Sequence, residues 1–306
     1  LGGVGAGAVA TGSWEEAALC AKYGDRVFHA GGYDWKLAEY CKYARSNSDD
    51  QPLYLFDPTF SNTAPQLANE YETPVCFTDD LFDLLDGDRP GTTGGAGALS
   101  AAETAEAEAR AMIDGTASHR VVGGKGGACS YQDAGDKVSR PDYRWLLLGG
   151  IRSGQSWHQD PNGTSAWNLT LCGRKRWLFF PPNSIPPGVR PSFDGDEFVT
   201  PVSLGEWARG YYREACAVEG FQECETLPGD VMFVPRGWWH MVVNQEAYTV
   251  AVSHHFLSPA TLSNTLKLLR TKPHQVSGID RGLSRNRGAN VTRKQATETD
   301  DHLAIA

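Results

Sequence analysis

From Tyr143 to Phe256 the chain is a series of short apolar runs separated by turn residues, the spacing of a mainly β core. Arg140–Gly149 (RPDYRWLLLG), SAWNLTL from Ser165, RWLFF from Arg176 and the run His240-Met-Val-Val are rich in aromatic and β-branched positions. Strands of this length and spacing predict a double-stranded β-helix of the jelly-roll type. Ser165 to Phe180 reads as a hairpin turning at Cys172-Gly173-Arg174. Flanking helices are expected on both sides. Ser13-Trp14-Glu15-Glu16 has the form of a capping box opening a short helix, and a second amphipathic helix is expected from Asp34 through Tyr43. After the core, Ser258-Pro259 opens a helix with Leu262, Leu266 and Leu269 on one face, expected to pack on the domain or to help form a homodimer.

The pattern breaks at GTTGGAGALSAAETAEAEAR and VVGGKGGA, which read as a Gly/Ala-rich insertion with one Ala/Glu helix near Ser100 to Ile113. His119 lies inside it and is not expected to be a ligand. The expected organisation is therefore 1–90, an N-terminal helical flank leading into the core; 91–139, the insertion; 140–260, the β core; and 261–306, a C-terminal helix and basic tail.

Two stretches of the core carry chemistry: SWHQDPNGTSAWNLTLCGRKRW and PGDVMFVPRGWWHMVVN. His158 and Asp160 are two apart in extended chain, so both side chains point the same way. His240, opening a β-branched run after the turn LPGD and the pair Trp238-Trp239, is the best third donor. Two histidines and a carboxylate form the facial triad that holds non-haem Fe(II) and leaves positions open. Lys175 alternates with Trp177 and Phe179, which turns a cation toward an apolar interior unless it snorkels to water at the rim. A buried ammonium calls for a permanent anion, such as a bound dicarboxylate.

The motifs H-x-D-P-x-G-T-S-A-W-N, G-x-K-R-W and V-P-x-G-W-W-H-x-V-x-N resemble the Jumonji C (JmjC) family of Fe(II)/2-oxoglutarate oxygenases. Within it they are similar to the lysyl hydroxylase/arginine demethylase branch, the phosphatidylserine-receptor-like proteins. PLYLFD (Pro52 to Asp57), FTDDLF (Phe77 to Phe82) and RPDYRWLLLG agree, so the resemblance covers roughly residues 13–90 and 140–260. It implies a cupin-like JmjC barrel in which His158, Asp160 and His240 bind Fe(II). It also implies that Asn168 and Lys175 contact 2-oxoglutarate, that Tyr54 reaches the distal carboxylate beside Lys175, and that the Ser253 hydroxyl bonds the co-substrate. This chain departs from the family pattern in having Gln155 where a small hydroxyl often stands. It also has Ser253-His254-His255-Phe256 in place of T-Q-N-F, and one extra residue between Asn244 and Ser253, absorbed by a bulge or longer turn around Gln245-Glu246-Ala247.

The implied reaction is oxidative decarboxylation of 2-oxoglutarate coupled to C–H hydroxylation of a protein side chain. Three readings are compatible with the residues: this oxygenase, a cupin-fold enzyme of another class, which would not need Lys175 or Asn168, and a catalytically silent JmjC binding module. Within the first, lysyl or arginyl hydroxylation ranks above histone or protein N-methyl demethylation, because the chain has no zinc-finger cysteine array or chromatin-reading module.

Charge adds to this picture. With 28 basic and 37 acidic residues the net charge of −9 argues against non-specific nucleic-acid binding by the whole chain and suits a Lys/Arg-rich protein substrate. Residues 267–294, however, carry eight basic residues against the single acid Asp280, so this tail is expected to be solvated, to contact nucleic acid or an acidic partner, or to act as a nuclear localisation signal. Seven cysteines without a C-x-x-C pair favour a reducing, intracellular compartment, the nucleus ahead of the cytoplasm. No run of about twenty apolar residues occurs, so no membrane-spanning helix is expected. The first residue is Leu1 rather than Met, as in a fragment or processed chain, and LGGVGAGAVA is not read as a secretory signal. The sequons at Asn168 and Asn290 are discounted, the first because it lies in a core strand.

Overall fold

The computed structural model describes residues 12–82, 143–192, 197–200 and 202–277. The expected 91–139 insertion, its Ala/Glu helix, His119, Asn290 and most of the basic tail lie outside the described residues.

Thirteen strands form among the described residues: β1 Val27–Ala30, β2 Tyr33–Lys36, β3 Leu55–Asp57, β4 Arg144–Gly149, β5 Gly154–His158, β6 Ser165–Cys172, β7 Lys175–Phe180, β8 Arg190–Pro191, β9 Phe198–Val199, β10 Gln222–Thr226, β11 Val231–Val234, β12 Trp239–Asn244 and β13 Thr249–Phe256. A seven-stranded sheet runs β11-β6-β13-β4-β3-β1-β2, and a four-stranded sheet runs β10-β7-β12-β5. From β4 to β7 the chain alternates between the two sheets, and after β10 it does so again through β13. This is the double-stranded β-helix that the strand spacing predicts. The two sheets face each other across the site.

Period-2 alternation decides which side chains go where. On β4, Leu146 and Leu148 join the outer core with Trp14, Leu19, Phe28 and Tyr40, while Trp145 and Leu147 face inward. On β7, Leu178 and Phe180 pack outward with Trp207, and Trp177 and Phe179 face in. Both faces of both sheets are therefore covered, which is why the strands read as nearly continuous apolar runs. Helices α1 Glu16–Tyr23, α2 Leu37–Ser46 and the short α3 Phe60–Thr63 are built around the outer core of the large sheet. Helices α4 Leu204–Gly210 and α5 Tyr212–Ala217 supply the outer core of the small one, and α6 Pro259–Thr271 follows the last strand. The Tyr40 hydroxyl ties α2 to the large sheet, donating to Leu148 O at 2.8 Å and accepting from Leu55 N at 3.0 Å.

Three local expectations are corrected. The stretch from Ser165 to Phe180 is not a hairpin: β6 pairs with β11 and β13, whereas β7 pairs with β10 and β12. The turn at Gly173 (φ +76°) swings the chain from one sheet to the other, and no local pattern distinguishes that from pairing. Helix α2 begins at Leu37 rather than Asp34, because Tyr33–Lys36 pairs with Val27–Ala30 around Gly31-Gly32, whose φ values of +58° and +84° suit a tight hairpin. Helix α1 begins at Glu16 with Glu15, not Ser13, at its N-cap and no side-chain cap from that residue, two positions later than expected; Ser203 and Glu206 make a capping box at the start of α4.

Residues 245–248 form the loop between β12 and β13, and the pairing of β13 with β6 shifts register between Val250 and Ala251. On α6, Leu262, Leu266 and Leu269 are only half-buried. Thr265 is the buried position and donates to Gly163 O at 3.1 Å, setting this helix against the turn that follows Asp160.

Gly154 shows how closely the site is built. It pairs with Val243 and has φ +153°, and a Cβ there would meet Val242 O at 1.9 Å. Gly154→Ala is expected to cost about 2–4 kcal/mol by forcing β5 away from β12. Thermal denaturation checks this, and an unchanged midpoint would refute the close approach.

Candidate active site

His158 ends β5, Asp160 follows in extended conformation (φ −62°, ψ 140°), and His240 sits on β12 directly opposite His158. One donor atom from each lies within 4.8 Å of the others, and the two imidazole centroids are 4.0 Å apart. The ring orientations are fixed in the same way. His158 Nδ1 lies 2.7 Å from Ser156 O and His240 Nδ1 lies 3.2 Å from Trp238 O, each carbonyl two residues back on the same chain. A carbonyl only accepts, so Nδ1 carries the proton and Nε2 is left with its lone pair. Gln159 Nε2 donates to Gly237 O at 2.6 Å and ties the two donor-bearing segments together.

The protonation states suit a cation. Burial, helped by neighbouring His158, pushes the His240 imidazole down to about 4, so it is neutral at pH 7. Burial alone would raise the Asp160 carboxyl, but His240, His255 and His158 outweigh it and hold the group well below the usual carboxylate range. Asp160 Oδ2 is buried with no hydrogen-bond partner. Two imidazoles with Nε2 left unbonded by their carbonyl partners and an ionised carboxylate with an orphaned oxygen form a donor set that fits a divalent metal ion.

Beside them is a cavity of about 280 Å³. Lys175 enters it from β7 at 1% exposure, with Nζ 3.2 Å from the Tyr54 hydroxyl and 3.4 Å from Asn168 Oδ1. No ion pair joins it to a carboxylate among the described residues, and burial pulls its pKa down to about 7. The alternative of a rim lysine reaching water does not hold. Ser253, opposite Asn168 on β13, lines the cavity with Gln155 and donates from Oγ to Trp167 O at 3.3 Å. All eight sequence-selected residues thus gather here: seven line the cavity, and Tyr54 lies behind Lys175.

The sequence reading missed three features. Phe56 and Trp145 stack at 5.5 Å to make one wall. Ser277 returns to the mouth, where Asn162 Nδ2 donates to its carbonyl at 2.9 Å and its N–H donates to Asn162 Oδ1 at 3.1 Å. His255 reaches Asp160. Only His255 left a signal, as the second histidine of S-H-H-F; the others depend on contacts between distant segments.

A second donor group, Glu16, Cys20 and Cys41, lies between α1 and α2. Glu16 already pairs with Arg45 at 3.3 Å, and burial pushes the Cys41 thiol up, away from the thiolate form in which cysteine binds metal.

Comparison with known proteins agrees with this geometry. The model of the cupin-like domain matches residues 41–261. The chain is 36% identical over 262 residues to the "Arginine-specific demethylase JMJ22" of Arabidopsis thaliana, covering 85% of this chain and 42% of that protein. It is 31% identical over 267 residues to the "Bifunctional arginine demethylase and lysyl-hydroxylase psr-1" of Caenorhabditis elegans, covering 81% and 52%. With the "2-oxoglutarate and iron-dependent oxygenase JMJD4" of Danio rerio it shares 30% identity over 131 residues, 42% and 29% of the two chains. The chain spans about half the length of these relatives or less.

Proposed function

We propose, on the premise that this chain belongs to the cupin-like domain family and is a JmjC domain within it, that it is an Fe(II)- and 2-oxoglutarate-dependent oxygenase of protein side chains. The observation that carries this is the meeting of the His158–Asp160–His240 donor set with Lys175, a buried amine whose hydrogen-bond partners, Tyr54 and Asn168, are both uncharged. His158 Nε2, Asp160 Oδ2 and His240 Nε2 would hold the iron. Lys175 and Tyr54 would take one carboxylate of 2-oxoglutarate, with Asn168, Ser253 and Gln155 along its length. With iron and 2-oxoglutarate bound, O₂ would supply the oxidising power, one oxygen atom going into succinate as 2-oxoglutarate loses CO₂ and the other turning a C–H bond of the target into C–OH. Trp177, Val242 and the Phe56–Trp145 wall exclude water from the cavity.

The reaction favoured is hydroxylation of lysyl or arginyl side chains by a core spanning residues 140–260. N-methyl removal by the same chemistry is the second reading, supported by relatives named as demethylases. A net charge of −9 suits a basic protein partner. The basic residues between 267 and 294 support a nuclear setting, and contacts of that tail with nucleic acid or an acidic partner belong to the same reading.

The test is mass spectrometry of a pool of lysyl, arginyl and methylated peptides incubated with the protein, Fe(II), 2-oxoglutarate and ascorbate, with His240→Ala as control. Addition of one oxygen atom, dependent on His240, is expected. Loss of a methyl group would select the second reading. With neither change and no succinate, the silent binding module takes its place.

A further inference from the structure

Asp160 lies beside three imidazoles, and only two, those of His158 and His240, belong to the donor set. His255 Nε2 lies 3.5 Å from Asp160 Oδ1, closer than His240 Nε2 at 3.8 Å, yet His255 is not part of the group whose donor atoms all lie within 4.8 Å of one another. It contacts the carboxylate without joining the donors. The two carboxylate oxygens are therefore unequal: Oδ1 is the one that both His255 and His240 approach, and Oδ2 is buried and unpartnered.

We infer that His255 is a positioning residue, whose Nε2–H donates to Asp160 Oδ1 and so aims Oδ2 at the metal. This rests on the iron reading above. The contact is at the outer edge of hydrogen-bond distance, but the ring has little room to leave it. The backbone N–H of His255 donates to Tyr143 O at 2.6 Å, and its imidazole packs on Trp145 with centroids 4.4 Å apart. At 8% exposure it faces the cavity, while its neighbour His254 points to the other face of β13, where Tyr71 Oη lies 2.7 Å from Nε2 and Trp167 stacks at 4.2 Å. A donor on one carboxylate oxygen restricts the rotation of the group and leaves the second oxygen free, which is how outer groups orient a metal ligand.

The experiment titrates Co²⁺, as a redox-stable stand-in for ferrous iron, into wild-type protein and into the His255→Phe, His255→Gln, His255→Asn and Asp160→Ala variants. Calorimetry gives the affinity, visible absorption reports the ligand set, and thermal melts of the metal-free proteins report folding. Wild type should bind one Co²⁺. His255→Phe should weaken it about 10–100-fold with an unchanged absorption envelope, as expected for an outer-shell partner. His255→Gln, which keeps a donor of similar reach, should recover most of the loss. His255→Asn, too short to reach Oδ1, carries the same expectation as Phe should the Phe variant fail to fold. Affinities within twofold of wild type in the Phe or Asn variant overturn the inference while leaving the iron site intact. A changed envelope in either would make His255 a fourth ligand and also overturn it. If wild type binds no Co²⁺, or Asp160→Ala binds it undiminished, the iron reading itself fails and the inference fails with it.

Discussion

Asp160→Ala is expected to abolish turnover and to weaken metal binding by more than the roughly 10–100-fold typical of outer-shell changes. Asp160 is the anion among the donors; His158 and His240 contribute imidazole nitrogen, and burial keeps His240 neutral at pH 7. Removing the carboxylate leaves a dication facing imidazoles in a cavity that shields it poorly. The loss should reside in the metal step, so Co²⁺ affinity and succinate production should fall together. Co²⁺ binding that survives this substitution would show that the donor set is misassigned.

Lys175→Ala should act on the co-substrate, raising the dissociation constant for 2-oxoglutarate about 100-fold, near 3 kcal/mol, as expected when one partner of a buried charge pair is removed. Metal affinity should stay within a few-fold, because Lys175 contacts Tyr54 and Asn168 and none of the three donors. A pH signature accompanies it. Burial lowers Lys175 from 10.5 to about 7, so between those values the unfolded chain holds a proton that the ligand-free folded chain lacks. Stability of the ligand-free protein should therefore gain a contribution as pH rises through that window, and Lys175→Met should remove it. Co-substrate binding runs the other way. A dianion needs the ammonium form, so above about pH 7 binding takes up a proton and affinity falls as pH rises. Calorimetry in buffers of different ionisation enthalpy reads this uptake directly; a pH-independent affinity from 7 to 9 would sink the assignment.

Much of this site was legible because its chemistry is compressed into two segments. Alternation in extended chain put His158 and Asp160 on one side and turned Lys175 inward with Trp177, and the barrel's eight core strands kept those directions. Pairing was not legible. Ser165 to Phe180 has the composition of a hairpin, yet its two strands enter different sheets, since a glycine turn allows either outcome and only the competing partners β10–β13 decide. Helix starts failed for a related reason: Tyr33–Lys36 is amphipathic enough to begin a helix, but Val27–Ala30 offers it a strand partner.

The sequence by itself determined the donor types, their side of each strand and the mainly β class, because these follow from residue chemistry and a two-residue repeat. Only the tertiary structure decided that β5 and β12 lie side by side so that His158 meets His240, that Lys175 is sealed from water, that Ser277 closes on Asn162, and that His255 rests on Asp160. Each of these joins segments far apart in the chain, and such contacts are set by which faces must be buried together, a condition that no local stretch encodes.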